Sequence, residues 1–295
     1  MQGGAMRVFL RKILSSIVND KQKKKLKRSE FRLKSYLVNK SPKIDANKFR
    51  NILTRELRIK NGDHIFCHAS LSLLNTNLDE AEICDIILQV IGPNGSLTVP
   101  CYPPMASVRF MQSKRKFNVL TSVSGMGSFA EYVRKDPRSS RSLHPTKSIA
   151  TIGLPQDYLN VDANNPFPFG RNTPYERLLD EGVKVIGIGV TMNYLSFVHV
   201  GEELDYDNFP ICVNEKEIYE KICIDENGES TLVKTYVHDM KVVSKANPEK
   251  FVRKYLNKKA WNTYRYYFTP FFAVDAKELT DEILANAKKG YTIYD

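Results

Sequence analysis

The sequence predicts an α/β fold: a central mixed sheet flanked by helices, with a C-terminal β-hairpin plus helices and a basic helical N-terminal extension. Three observations lead there. Short apolar runs alternate with helix-period segments between residues 46 and 204, the pattern of strands and helices that share one core. Two alternating stretches then flank Asp225-Glu226-Asn227-Gly228-Glu229, and the excess positive charge is confined to residues 1–44.

Taken along the chain, apolar residues at 6, 9, 10, 13, 14 and 17 recur at helical spacing beside Arg7, Arg11 and Lys12, and a lysine cluster follows from Lys21 to Arg28. Ala46 to Leu57 reads as a helix, His64 to His68 as a buried strand, Asp79 to Ile91 as a helix capped near Asn77, and Ser96 to Pro100 as a second strand. After an irregular region, Gly127 to Lys135 reads as helical and Ser148 to Ile152 as extended. Pro174 to Glu181 has proline in its first turn and Gly182 at its stop, which marks a helix. Lys184 to Ile188 is a buried strand, whose closing Gly187 and Gly189 fit close backbone packing better than a pyrophosphate turn. Asn193 to Leu204 is a short apolar helix that Asn193 could cap. Glu217 to Ile224 and Thr231 to His238 form a hairpin, and helices near Pro248 to Asn257 and Ala276 to Lys289 close the chain. The expected division is an extension over residues 1–44 and one domain over 45–295.

A hydrophobic share of 42% supplies material for a core, and 15 Gly with 14 Pro exclude a collagen-like or disordered polymer. Five cysteines without a close pair argue against a disulfide framework and against a Cys-x-x-Cys metal site, so a reducing compartment and no metal are expected. Without a long apolar run the chain is expected in the cytoplasm. Residues 1–44 hold 13 Lys/Arg against 2 Asp/Glu, whereas residues 45–295 hold 31 of each. An amphipathic helix followed by a polybasic stretch suits an anionic membrane surface, so residues 6–28 are expected either to lie peripherally at the inner face of the membrane or to dock on the body or on a second subunit. Nucleic acid is not expected, since no aromatic platform accompanies the charges. A monomer or homodimer is expected.

Gly-x-Ser-x-Gly, Gly-x-x-x-x-Gly-Lys-Ser/Thr, His-Glu-x-x-His and Gly-x-Gly-x-x-Gly are all missing, which removes weight from ordinary hydrolases, P-loop enzymes, zinc proteases and dehydrogenases. Five segments stand in order instead: His68-Ala69-Ser70-Leu71-Ser72, Pro93 to Leu97, Arg141-Ser142-Leu143-His144-Pro145-Thr146, Thr173-Pro174-Tyr175, and His199 to Glu202 as His-x-x-Glu. Together they resemble the aminoglycoside N3-acetyltransferase family, coenzyme A-dependent N-acyltransferases distinct from the GNAT fold. The resemblance covers roughly residues 46–210. It implies acetyl-CoA or another acyl-CoA as cosubstrate and an amino-sugar amine as acceptor.

Acyl transfer from a thioester to an amine needs a base, donors for the oxyanion and a proton for the leaving thiolate. His199 and Glu202 stand three apart on one helix face, and the resemblance implies His199 as general base, with Glu202 orienting it or binding the substrate amine; His144 is either a turn residue whose imidazole satisfies backbone groups or a third catalytic residue beside the thioester. The resemblance likewise implies donor contacts from His68, Ala69, Ser70, Leu71 and Thr146; the hydroxyls of Ser122 and Ser124 suit the pantetheine or phosphates, and Lys147 either meets a coenzyme A phosphate or is simply exposed. Substrate contacts are expected from Asn193, Tyr102 and Glu203, the last as a solvated or ion-paired carboxylate on another face. His64, His68 and His238 read as structural, and Cys67 and Cys101 as core residues. Trp261 and Tyr264 to Tyr267 either wall a sugar site or pack. Three departures from the family pattern stand out: Asn193 replaces an acidic residue, Ser122-Val123-Ser124 loses the proline of a Thr-Pro-Ser segment, and Lys147 replaces a histidine.

A neutral body with a basic extension favours an amino sugar carried on an anionic nucleotide or lipid pyrophosphate, acylated during surface-glycan biosynthesis. The alternatives are an aminoglycoside 3-N-acetyltransferase giving antibiotic resistance, and a non-catalytic scaffold with an eroded site.

Overall fold

The computed structural model describes residues 20–295. The predicted amphipathic run from Met6 to Val18 therefore lies outside the described residues. Helix α1 (Asp20–Asn39) carries the rest of the extension; its Val38 is buried, while Phe31, Leu33 and Tyr36 are exposed. No helix among the described residues is long and apolar enough to cross a membrane.

Helix α2 (Ala46–Asn51) runs into a π-helical turn over Ile52–Glu56, so the predicted single helix changes pitch half-way. Strand β1 (His64–Ala69) follows, then α3 (Glu80–Ile91) and β2 (Ser96–Pro100). Asp79, not Asn77, caps α3: it accepts from Glu82 N–H at 2.8 Å while the Glu82 carboxylate accepts from Asp79 N–H at 2.9 Å, a reciprocal capping box. The irregular region contains α4 (Ser107–Gln112) and β3 (Phe117–Asn118), before α5 (Ser128–Lys135), β4 (Ser139–Arg141) and β5 (Ile149–Ile152). Helix α6 (Pro174–Asp180) and strand β6 (Lys184–Ile188) lead to α7 (Val198–Leu204). The predicted hairpin is β7 (Tyr219–Ile224) with β8 (Ser230–Thr235). Helices α8 (Met240–Val243) and α9 (Pro248–Tyr255) precede β9 (Trp261–Tyr266), β10 (Thr269–Asp275) and α10 (Ala276–Ala287).

Seven strands form the central sheet in the order β4-β5-β2-β1-β6-β10-β9, and β3-β7-β8 form a small second sheet. Strand β1 pairs in parallel with both β2 and β6, whereas β5 and β10 add antiparallel. The hairpin β9–β10 escapes the sequence reading. Its turn holds Tyr267 at φ 51° without Gly or Asn, and Pro270 interrupts the strand pattern. Tyr264 and Tyr266 consequently pack on the core as an edge strand.

Alternation along β1 explains why its sequence is apolar throughout: Ile65 and Cys67 join one core, and Phe66 joins another on the opposite face. Gly187 sits where an added Cβ would lie 2.0 Å from the Phe272 ring, which accounts for that glycine by packing alone. Because β1 lies between β2 and β6, its carboxyl end opens where the winding reverses direction, the place where α/β sheets form a crevice.

Candidate active site

Three loops meet at that crevice. Ser70 N–H donates to Ile188 O at 2.8 Å, tying the end of β1 to the end of β6. Gly189 (φ 70°) is required there because a Cβ would meet Ser70 O at 2.5 Å. A Cβ on Gly127 would meet Ala69 O at 3.5 Å, so the loop carrying Ser124 rests against the His68-Ala69-Ser70 segment. His68 is buried, its ring pushed down to about 4 by burial. It is therefore neutral, and its Nε2 lies 3.2 Å from Ser196 Oγ, just before α7.

Helix α7 carries the chemistry. His199 Nδ1 donates to Glu202 Oε2 at 2.7 Å, the (i, i+3) contact expected on one helix face. A carboxylate accepts only, so the proton sits on Nδ1 and the lone pair is left on Nε2. Glu202 is 1% exposed, and its other oxygen accepts from Tyr294 Oη at 2.8 Å. The helix itself begins at Val198 after Phe197, which makes no side-chain cap. Asn193 stands exposed in the preceding 3-10 turn Met192–Tyr194 and caps nothing, so the predicted cap is corrected.

Two aromatic groups that sequence reasoning left out of the site surround the imidazole. The His238 ring centroid is 4.2 Å from that of His199, and Phe169 lies 5.4 Å away with His238 stacked on it at 13°. Burial first, then His199 and Lys147, push His238 well below the usual histidine range, so it stays neutral. No local motif could have signalled it, since it arrives just beyond the β7–β8 hairpin, where it bridges to Asn214.

Glu203 also departs from expectation. Far from solvated, it is 4% exposed and accepts from Phe169 N–H at 2.6 Å and from Asn214 Nδ2 at 3.2 Å. Burial pushes its carboxyl up to about 8. A raised carboxyl stabilises the fold fully below its unfolded value of about 4.3 and loses that contribution as pH rises through about 8. Glu203→Gln should accordingly gain melting temperature relative to the parent as pH rises from 5 to 8.5. Asn214 Oδ1, buried without a partner, can turn to accept from the new amide. A constant difference in melting temperature across that range would refute the assignment.

The His144 segment forms one wall of a cleft. His144 is 4% exposed; its Nδ1 accepts from Thr146 N–H at 3.3 Å and Lys147 N–H at 2.9 Å. The ring proton is thereby placed on Nε2, which is buried without a partner. Burial and Lys147 push this ring down to about 3. Thr146 is fully buried, also with an unpartnered hydroxyl. Lys147 Nζ lies over the Tyr102 ring at 4.8 Å and the Phe169 ring at 5.6 Å; burial pushes it down to about 8, opposed by Glu203. Tyr102 Oη donates to Tyr175 Oη at 2.8 Å, and Tyr175 Oη to Lys147 O at 3.2 Å. His144, Lys147, Asp162, Thr173 and Tyr175 line a cleft here.

Ser122 and Ser124 are engaged locally: Ser122 Oγ accepts from Asn118 N–H at 2.8 Å, and Ser124 Oγ from Met126 N–H at 3.2 Å. Arg141 holds their loop in place through the carbonyls of Val119 and Ser122. Cys67 and Cys101 are buried, and burial pushes Cys101 up to about 11, consistent with core residues. Among the described residues no group of three or more His, Cys, Asp or Glu could hold a metal ion.

A family profile described as aminoglycoside 3-N-acetyltransferase matches residues 66–286. The chain belongs to this family. Aminoglycoside N(3)-acetyltransferase VII of Streptomyces paromomycinus is 25% identical over 204 residues, 60% of this chain and 70% of that protein. Aminoglycoside N(3)-acetyltransferase III of Acinetobacter baumannii is 24% identical over 162 residues, covering 50% of this chain and 57% of that one. The aminoglycoside 3-N-acetyltransferase fold is shared with solved structures. AAC-IIIb in its binary complex with CoASH superposes with a TM-score of 0.69 at 18% identity, over 84% of this chain and 97% of the other. Sisomicin-bound AAC-VIa gives 0.68 at 19%, over 85% and 100%.

Proposed function

We propose that this chain transfers an acetyl group from acetyl-CoA to an amine of an aminoglycoside-type amino sugar. The observation that carries the reading is the His199–Glu202 pair at 2.7 Å, set on a helix at the carboxyl end of the parallel strands. His199 Nε2 takes the proton of the attacking amine as the C–N bond forms; the C–S bond breaks, and the thiolate leaves and is protonated. Glu202 balances the imidazolium charge. The His68 to Leu71 and Ser122 to Ser124 segments face the donor, and the partnerless Nε2–H of His144 is a buried donor available to an incoming oxygen.

The nucleotide- or lipid-linked acceptor expected from net charge gains no support. The named relatives are aminoglycoside N(3)-acetyltransferases, and net charge is silent about a pocket. Asp162, which lines the cleft beside Lys147, supplies a local carboxylate for a polycationic acceptor. Thiol release from acetyl-CoA tests this with sisomicin and gentamicin against a panel of nucleotide amino sugars. The aminoglycosides should lead by at least about tenfold in kcat/KM. Faster turnover of a nucleotide sugar would restore the biosynthetic reading, and no release with any amine would favour a scaffold.

A further inference from the structure

We infer that Tyr294 is a positioning residue for the His199–Glu202 pair, fixing the buried carboxylate that in turn fixes the imidazole. The inference rests on the general-base reading of His199. Tyr294 lies beyond the part of the chain that matches the family profile, and nothing in its neighbourhood in sequence marks it.

Glu202 is a carboxylate removed from water whose ionic partner among the described residues is the His199 ring alone. Such a group needs both oxygens satisfied, because a buried acceptor left bare costs its full desolvation. His199 Nδ1 satisfies Oε2 and the Tyr294 phenol satisfies Oε1, on opposite sides of the carboxylate. The two bonds together set the rotation of the carboxylate and so the direction in which His199 Nε2 points. Burial first, then Glu202, pushes the phenol far above its ordinary value, so it remains a donor at every working pH.

The phenol is itself held on both sides. Ile293 is buried and its carbonyl accepts from Asn247 N–H at 2.8 Å. On the other side Asp295 accepts from the Thr292 hydroxyl at 3.2 Å through its carboxylate, and its carbonyl accepts from Lys250 Nζ at 2.7 Å. A segment anchored at 293 and 295 and closed on itself between 292 and 295 presents residue 294 in one orientation. This is the arrangement of a support that works through another residue.

Tyr294→Phe keeps the ring and deletes only the donor. It should lower kcat about tenfold, with KM for acetyl-CoA within about twofold of the parent, because no donor contact is lost. The acid limb of the kcat/KM profile should move to higher pH, since a carboxylate with one bare oxygen holds the proton on His199 more tightly. The other groups facing that imidazole are His238, directly and from a second element, and Lys147 behind it; both are unchanged in the variant. A folded Tyr294→Phe protein with parental kcat and an unmoved acid limb would overturn the inference. Should that variant melt early, 3-fluorotyrosine at 294 decides: a stronger donor should move the limb to lower pH, and an unmoved limb counts against the role. His199→Ala run alongside separates the two levels. An inert His199→Ala beside an unaffected Tyr294→Phe removes only the support, whereas an active His199→Ala removes the base reading on which it stands.

Discussion

His199→Ala should lower kcat by about 10²-fold or more while leaving acetyl-CoA affinity largely intact. The imidazole is partly exposed, with its Nδ1 committed to Glu202 at 2.7 Å. Removing it takes away the acceptor for the amine proton without touching the segments around Ser70 and Ser124. Glu202→Gln should also be impaired, for a countable reason. The carboxylate offers one oxygen to His199 and one to Tyr294, whereas an amide has a single acceptor oxygen for two donors. If the amide NH2 faces His199, the ring proton moves to Nε2 and the lone pair that would take the amine proton is lost; if it faces Tyr294, the phenol loses its acceptor. Steady-state thiol release measures kcat, and calorimetry with coenzyme A measures donor affinity. Near-parental turnover in His199→Ala would end the mechanism and leave family membership standing.

Arg141→Met should destabilise the protein by about 3–5 kcal/mol, lowering its melting temperature by on the order of 10 °C. Arg141 is 5% exposed and has no carboxylate partner among the described residues. Its guanidinium instead donates to the carbonyls of Cys101 at 2.9 Å and Val119 at 3.2 Å, to Ser122 O and to Ser148 Oγ, over the Phe117 ring at 4.8 Å. Methionine fills much of the volume but strands those buried acceptors. Arg141→Lys should rescue little, since one ammonium cannot span acceptors that the planar fork reaches together. Because the same guanidinium pins the loop of Ser122 and Ser124, donor affinity should fall with stability. A melting temperature within about 2 °C of the parent would show that solvent replaces these bonds.

The parts of the molecule that were legible in sequence are those fixed by local geometry. Strands β1, β2 and β6 announce themselves as apolar runs, and a His and a Glu three apart on a helix must share a face. What was illegible depends on residues brought from elsewhere. Glu203 looked solvated because it neighbours Glu202 in sequence, yet Phe169 N–H and Asn214 bury and satisfy it. His238 reaches His199 from just beyond the β7–β8 hairpin, and the β9–β10 turn uses Tyr267 where the usual signal would be glycine. Asn193 has the chemistry of a cap but sits a turn too early. The substrate reading gains no support from the neutral charge of the body, because a summed charge is silent about a cleft that carries its own Asp162 and Lys147.

The bond between Glu202 and Tyr294 spans 92 positions, and that distance is also a delay. At a ribosomal rate of about 5–20 residues per second, α7 emerges on the order of 5–20 s before the phenol that satisfies its carboxylate. Strand β6 waits almost as long for β10, with an apolar edge open to pairing with other chains. These long-range pairings raise contact order and slow the closing steps of folding. A nascent chain can therefore hold both members of the His199–Glu202 pair and still lack a finished site until the last strand and the segment around Tyr294 have docked.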